Sequence, residues 1–295
     1  RVKDVRRYLK QFLTDPNVID IHPIFRYLLV YGIIAPFRSF RSSKLYKKLE
    51  TERGFPLIYH TDDLVQKIIP MINEDVSLDF AMRYGNPSLK KLIHAIKNQE
   101  YNEILFIPLY PQFASSTTGS NIRLLQKELK SLIGRKRLKI LPHFHSHKSF
   151  IEIWQKKISS YNLSEYDAIV YSFHGVPIRQ TESAHTGYSC NFLECTKEYK
   201  ENNQYCYQAS CYQTAREISE KLNIEEERWH VAFQSRFGRK WLTPYTDQLI
   251  RDLARMGMRK ILVVSPAFVS DCLETTIEIG HEYKSLFREE GGEKL

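Results

Sequence analysis

Chemistry in this sequence of 295 residues is most visible at a histidine placed directly after a short apolar run. Ala168 to Ser172 reads as a buried strand, and Phe173-His174-Gly175-Val176-Pro177 follows, with a glycine and a proline shaping the turn. An imidazole with an ordinary pKa of about 6.5 can accept a proton or ligate a metal near neutrality. A histidine simply hydrogen-bonded into a turn is the plainer alternative, and position alone does not decide.

A second apolar run, Ile261 to Ser265, leads into Pro266-Ala267-Phe268-Val269-Ser270-Asp271-Cys272-Leu273-Glu274-Thr275-Thr276-Ile277-Glu278. A helix beginning near Asp271 puts Asp271, Glu274 and Glu278 on one face. Asp271 and Glu274 have the spacing of a capping pair, but Glu278 is not needed for a cap. Like charges four residues apart on a helix cost about 0.2–0.5 kcal/mol, so Glu274 above Glu278 is easier to understand if a cation passes along them.

Of the five cysteines, four crowd together at Cys190, Cys195, Cys206 and Cys211, with spacers of four, ten and four residues. In a chain of this length the pattern reads as a metal site in a reducing compartment. Zinc in a four-cysteine site usually has two-residue spacers within a pair. The wider spacers fit a [2Fe–2S] cluster better.

These residues need elements to hold them. Short apolar runs at Ile104 to Leu109, Leu138 to Leu141, Ala168 to Ser172, Val231 to Phe233 and Ile261 to Ser265 read as buried parallel strands. Segments with helical spacing alternate with them: Ser88 to Lys97, Asn121 to Ile133, Ser149 to Ser160, Tyr212 to Leu222, Tyr245 to Met256 and Leu273 to Phe287. The class is α/β, and ligands of such folds gather beyond the carboxyl ends of the strands. Two halves are expected, residues 1–147 and 148–295, joined near Pro142 to Lys148.

Composition sets the outer limits. With 42% hydrophobic and 26% charged residues the chain should bury its own core. A net charge of +9 points to an anionic partner: nucleic acid, an acidic membrane surface or a carboxylate-bearing substrate. No basic stripe with interleaved aromatics supports nucleic acid. No run reaches the roughly 18 apolar residues of a membrane span, the nearest being Tyr27 to Phe37. No secretory leader is read, and a start at Arg1 suggests that the natural beginning is missing.

Four segments together say more. Leu109-Tyr110-Pro111-Gln112-Phe113-Ala114-Ser115-Ser116-Thr117-Thr118-Gly119-Ser120, Ser172-Phe173-His174-Gly175-Val176-Pro177, Gln234-Ser235-Arg236-Phe237-Gly238 with Trp241-Leu242, and Ser270-Asp271-Cys272-Leu273-Glu274-Thr275 resemble the ferrochelatase family in order and spacing, over nearly the whole chain. The resemblance implies two Rossmann-like halves enclosing a porphyrin cleft, with ferrous iron as the second substrate and heme as the product. It matches His174 to the active-site histidine, Glu274 to the glutamate opposite, and Asp271 and Glu278 to an acidic path. Arg83 and Tyr84 match a pair at the metal side, Tyr110, Trp241 and Phe268 match pocket-lining positions, and Arg38 and Arg41, with Tyr46, lie where porphyrin propionates bind. Bidentate arginine–carboxylate pairing suits that task.

The resemblance further implies that Ile21 to Phe37 is an apolar lip touching the membrane, with a buried core helix as its structural alternative. It places the protein in the cytoplasm, peripheral on the inner membrane, and allows a homodimer. Some ferrochelatases also carry a [2Fe–2S] cluster. The family's first strand, before Val2 to Leu13, and its final strand and helix, after Leu295, are absent from the sequence, which points to a truncated sequence. The Gly238-Arg239-Lys240-Trp241 loop is one residue short of the usual pattern, and no metal role is carried to Cys272.

Porphyrin insertion needs macrocycle distortion and removal of two N–H protons. Binding energy from propionates and apolar walls can supply the distortion. His174 is then either the proton acceptor or the first iron ligand, with Glu274 as its polar partner and proton exit. Alternatives are a coproporphyrin ferrochelatase, a porphyrin or heme carrier for which Glu274 is dispensable, and a basic nucleic-acid binder.

Overall fold

The computed structural model describes residues 2–99, 101–130, 137–185 and 192–295. Its chain forms two compact units, Arg1–Pro108 with Ser115–Leu141, and Leu109–Ala114 with Pro142–Leu295.

In the first unit, α1 (Val2–Leu13) buries Val5, Leu9 and Leu13, one residue per turn, against Val30. The chain continues through α2 (Pro23–Leu28), a π-helical stretch Leu29–Ile34, α3 (Ala35–Leu49) and α4 (Pro56–Ile68). Next come α5 (Leu89–Lys97), β1 (Glu103–Phe106), a π-helical turn Ser115–Gly119, α6 (Ser120–Glu128) and β2 (Arg137–Ile140). β1 and β2 pair in parallel, and Leu89, Ile93, Leu125 and Leu129 form a small core with Phe106 and Ile140 packed on it.

The expected lip, Ile21 to Phe37, is helical and largely uncovered: Phe25, Leu28 and Phe37 are 66%, 64% and 75% exposed. Within it Arg26, Val30 and Ala35 are buried, and Arg26 turns inward to the carbonyls of Ile19 and Ile21 at 3.1 and 3.2 Å. A wholly buried core helix is therefore excluded for this segment.

The second unit has α7 (Lys148–Ile158), β3 (Ala168–His174), α8 (Ile178–Glu182), α9 (Phe192–Lys197), α10 (Tyr207–Lys221), β4 (Trp229–Gln234), α11 (Thr246–Arg255), β5 (Ile261–Val264), a π-helix Glu274–Tyr283 and α12 (Lys284–Glu289). The sheet is parallel with order β4-β3-β5. Strand alternation divides the core into two layers. Ile169, Tyr171 and Phe173 pack with Ala215 and Ile218 of α10, while Ala168 and Val170 pack with Ile250, Ile279 and Phe287 on the other face. The chain leaves β3 toward β4 and returns past β3 to make β5, so the direction of winding reverses between β3 and β5. That reversal opens a crevice at the carboxyl ends of the strands, where the chain places His174 and the segment after Val264.

Candidate active site

His174 is the last residue of β3 and pairs in register with Gln234 of β4. Its Nδ1 lies 2.7 Å from the carbonyl of Gly175. A carbonyl oxygen only accepts, so Nδ1 carries a hydrogen, and in the neutral ring Nε2 bears the lone pair. The turn is tightly built: a Cβ on Gly175 would sit 2.9 Å from the Gln234 carbonyl and 3.2 Å from the Trp241 ring. Gly175 N–H donates to that same carbonyl at 2.8 Å, and Leu242 N–H donates to Val176 O at 3.0 Å. Trp241 thus packs against the histidine's turn. Phe268 stands on another side, its ring centroid 6.4 Å from that of His174. Beneath them, buried Tyr207 donates its hydroxyl to the His174 carbonyl at 2.9 Å.

Gln234 joins this strand end to the acidic segment. Its Oε1 accepts from Ser172 Oγ at 2.7 Å, which fixes the amide so that Nε2 points at Glu274 O (3.2 Å) and Glu278 Oε2 (3.3 Å). Ser235 has φ 59°, a left-handed conformation that a side-chain-bearing residue adopts at some cost. In that conformation its N–H donates to Glu278 Oε1 at 2.9 Å and its hydroxyl donates to Oε2. Tyr283, five residues on and so one π-helical turn away, donates to Oε1 at 2.5 Å. Burial, and then the Glu278 charge, push the Tyr283 phenol far above its ordinary value.

Two expectations change here. The acidic segment was expected to begin as a helix near Asp271 with Glu274 as its capping partner. The helix instead starts at Glu274, is π-helical, and has no side-chain cap. The cause is Thr275, whose hydroxyl accepts Cys272 N–H at 3.0 Å and lies 3.1 Å from Asp271 Oδ1, so the exposed aspartate serves the preceding turn. The charge of Glu278, in turn, is met by neutral donors from Gln234, Ser235 and Tyr283, and needs no cation to be tolerated. Glu274 keeps its side chain half-exposed. Beside it, burial and then the Glu274 charge push the Cys272 thiol up to about 12. Gln234, Ser235 and Tyr283 were not singled out as site residues, although Gln234 and Ser235 directly follow an apolar run.

Glu278→Ala would leave these donors facing a void. A loss of about 1–3 kcal/mol of stability is expected, with Tyr283→Phe losing about 1 kcal/mol, both read by urea denaturation. An unchanged midpoint for Glu278→Ala would remove the carboxylate's structural role.

In the first unit, Arg83 and Tyr84 converge on a residue that sequence reasoning missed. Asp15, 6% exposed, accepts from Arg83 Nη2 at 2.6 Å, Tyr84 Oη at 2.8 Å and Ser120 Oγ at 2.6 Å. Arg83 Nε also donates to Ser120 Oγ at 2.9 Å. Burial alone would raise the Asp15 carboxyl, but hydrogen bonds from Ser120, Asn17 N–H and Tyr84, with the Arg83 charge, hold it below its ordinary value. Arg38 and Arg41 are exposed on α3, one turn apart, and Tyr46 packs edge-on to Tyr8 and Phe55. Tyr110 belongs to the second unit and is half-buried.

Of the four clustered cysteines, Cys190 lies outside the described residues. Cys195 in α9 and Cys206, the residue before α10, are buried and come together with His185. The donor atoms of the three lie within 4.8 Å of one another. Cys211 is buried in α10 and lies outside that group. Soft thiols with an imidazole suit zinc or iron–sulfur iron, so the donors present fit a transition-metal centre.

Comparison with known proteins identifies the family of the chain. A family model described as ferrochelatase matches residues 1–295. A ferrochelatase of Coxiella burnetii (strain Dugway 5J108-111) is 36% identical over 302 residues, covering 100% of this chain and 83% of the relative. A ferrochelatase of Legionella pneumophila (strain Corby) is 36% identical over 301 residues, covering 100% of this chain and 88% of the relative. The chain belongs to the ferrochelatase family.

Proposed function

We propose that this protein inserts ferrous iron into protoporphyrin IX, forming protoheme and releasing two protons. The observation that carries the reading is the meeting of three strand ends: His174 at the end of β3, Gln234 and Ser235 at the end of β4, and the Glu274–Glu278 helix after β5. Nε2 of His174 is the basic nitrogen and takes the pyrrole protons. Glu274, half-exposed on the same side of the sheet, is its polar partner and passes protons outward, with Asp271 and Glu278 continuing the acidic line. Arg38 and Arg41 pair with propionates, and Tyr46, Tyr110, Trp241 and Phe268 offer ring faces to the macrocycle. Arg83 and Tyr84 act at the metal side. The test is anaerobic incubation with protoporphyrin and ferrous iron, followed by loss of porphyrin fluorescence. Porphyrin that binds but keeps its fluorescence would favour a carrier, and preferred turnover of coproporphyrin would reassign the substrate.

The exposed apolar residues of the lip carry a second part of the reading, peripheral attachment on the cytoplasmic face of a membrane. No helix among the described residues is long and apolar enough to cross one. Phe25, Leu28 and Phe37 together with a net charge of +9 suit an anionic bilayer surface. The protein should pellet with anionic liposomes at low salt and be released at high salt, and Phe37→Asp should lower binding roughly tenfold or more. Failure to pellet at low salt would sink this part.

The segment bearing Cys190, Cys195, Cys206 and Cys211 holds a [2Fe–2S] cluster in this reading, supported by the approach of Cys195 and Cys206. When bound, the cluster supplies stability or redox sensing to the loop. It takes no part in insertion.

A further inference from the structure

We propose that Tyr207 is a positioning residue for His174: its hydroxyl clamps the peptide between His174 and Gly175, and that peptide sets which imidazole nitrogen is left free. The proposal rests on His174 as the basic group of the reading above and adds what aims it.

The geometry begins with how β3 ends. β5 pairs with β3 only from Ala168 to Tyr171, whereas β4 follows it as far as His174. Gly175 N–H donates to the Gln234 carbonyl, on the β4 side, at 2.8 Å. The 174–175 peptide is trans, so its carbonyl points opposite to its N–H. The His174 carbonyl is therefore directed away from β4, to the side on which β5 has already stopped pairing. Tyr207, the first residue of α10, supplies the donor there, its hydroxyl 2.9 Å from that oxygen. The phenol is 6% exposed and belongs to the same buried cluster as Phe173, Val176 and Ala215, so its hydroxyl is a fixed point.

A planar peptide held at both its N–H and its C=O cannot turn without breaking one of the two bonds. That restraint matters because the next residue is glycine. Gly175 has the freest backbone of any residue, and a Cβ in its place would sit 2.9 Å from the Gln234 carbonyl. Its carbonyl is the acceptor that engages His174 Nδ1 at 2.7 Å. Held in place, this oxygen keeps a hydrogen on Nδ1 and leaves Nε2 with the lone pair in the neutral ring. Once released, it drifts, and the ring is free to carry its hydrogen on either nitrogen. A working imidazole is commonly oriented by the bond its other nitrogen makes. Here that bond runs to the adjacent residue, so the clamp on the intervening peptide decides it. A tyrosine that merely filled the core would leave the imidazole indifferent to the loss of one oxygen atom.

The test is Tyr207→Phe in the full chain, which keeps the ring and removes only the hydroxyl. For iron insertion, kcat should fall roughly tenfold or more, the size of loss seen when a group behind a working side chain is removed, while the porphyrin KM stays near the parent value. Long-range ¹H–¹⁵N spectra of histidine-labelled protein, at a pH where the ring is neutral, read the tautomer directly, with His174 assigned by its absence from His174→Ala. The parent should show the Nδ1–H form alone and Tyr207→Phe a mixture of both forms. A parent protein with hydrogen on Nε2 of His174 overturns the proposal with no variant needed. So does a Tyr207→Phe protein that keeps the single Nδ1–H form, or one whose KM rises while kcat is unchanged. A mixture of tautomers with unchanged kcat and KM upholds the clamp and removes His174 from the proton-accepting role, so the two readings fail separately.

Discussion

His174→Ala should abolish iron insertion while leaving porphyrin binding largely intact. A positioned acid–base group contributes typically about 10²–10⁴-fold to a rate, and no other imidazole ends β3. Porphyrin affinity should survive because the histidine's contacts are few: one ring nitrogen is engaged by the Gly175 carbonyl, and Phe268 stands 6.4 Å from it between ring centroids. Arg38, Arg41 and the aromatic side chains assigned to the macrocycle are untouched by the change. Fold damage should be small, since Tyr207 holds the backbone carbonyl of residue 174 and the β3–β4 register is made by main-chain bonds. Porphyrin fluorescence quenching and anaerobic single-turnover insertion separate the two effects. A variant that still inserts iron within threefold of the parent rate would remove His174 from the proton-accepting role. A variant that no longer binds porphyrin would reassign it to substrate positioning.

The parts of this protein legible in its sequence share a physical property. Each strand of the second unit is an uninterrupted apolar run because both faces of a parallel sheet are covered; hence Ala168–His174, Trp229–Gln234 and Ile261–Val264 lie where hydrophobicity put them. The strand ends followed, and with them the placement of His174. Helices α3 and α4 were not read, because α3 buries only Ala35, Ser39 and Leu49 and so lacks a clear apolar stripe. The π-helical form of Glu274–Tyr283 was also hidden: it depends on Tyr283, one turn along, and on the Gln234–Ser235 corner, more than 40 positions earlier in the sequence, closing on Glu278. Counting along the chain likewise cannot register that His185, ten residues before Cys195, brings its Nε2 to 3.5 Å from that residue's Sγ.

Asp15 was invisible for the opposite reason, since a lone aspartate ahead of a proline reads as surface. Asp15→Ala should destabilise the protein by about 3–5 kcal/mol, the usual loss when one partner of a buried ion pair is removed. The Arg83 guanidinium would keep its charge with no carboxylate to meet it, and the hydroxyls of Tyr84 and Ser120 would lose the acceptor they share. Asp15→Asn preserves the shape but not the charge, and should lose less. The effect should also depend on pH with a definite sign. The native carboxyl is held below its ordinary value despite burial, through Ser120, Asn17, Tyr84 and Arg83. Its contribution is therefore complete above the unfolded-chain value of about 3.9 and fades as pH falls from there through the lowered native value. Urea midpoints of wild type and Asp15→Asn should differ by a constant amount between pH 5 and 8 and converge below about pH 4. A difference that instead grew on acidification would mean that the native carboxyl is raised, and a total loss under about 1 kcal/mol for Asp15→Ala would place the pair among exposed salt bridges. Because Arg83 and Tyr84 both hang on this carboxylate, any activity that uses them should fall in the same variants even where the fold persists, so the two readouts should move together.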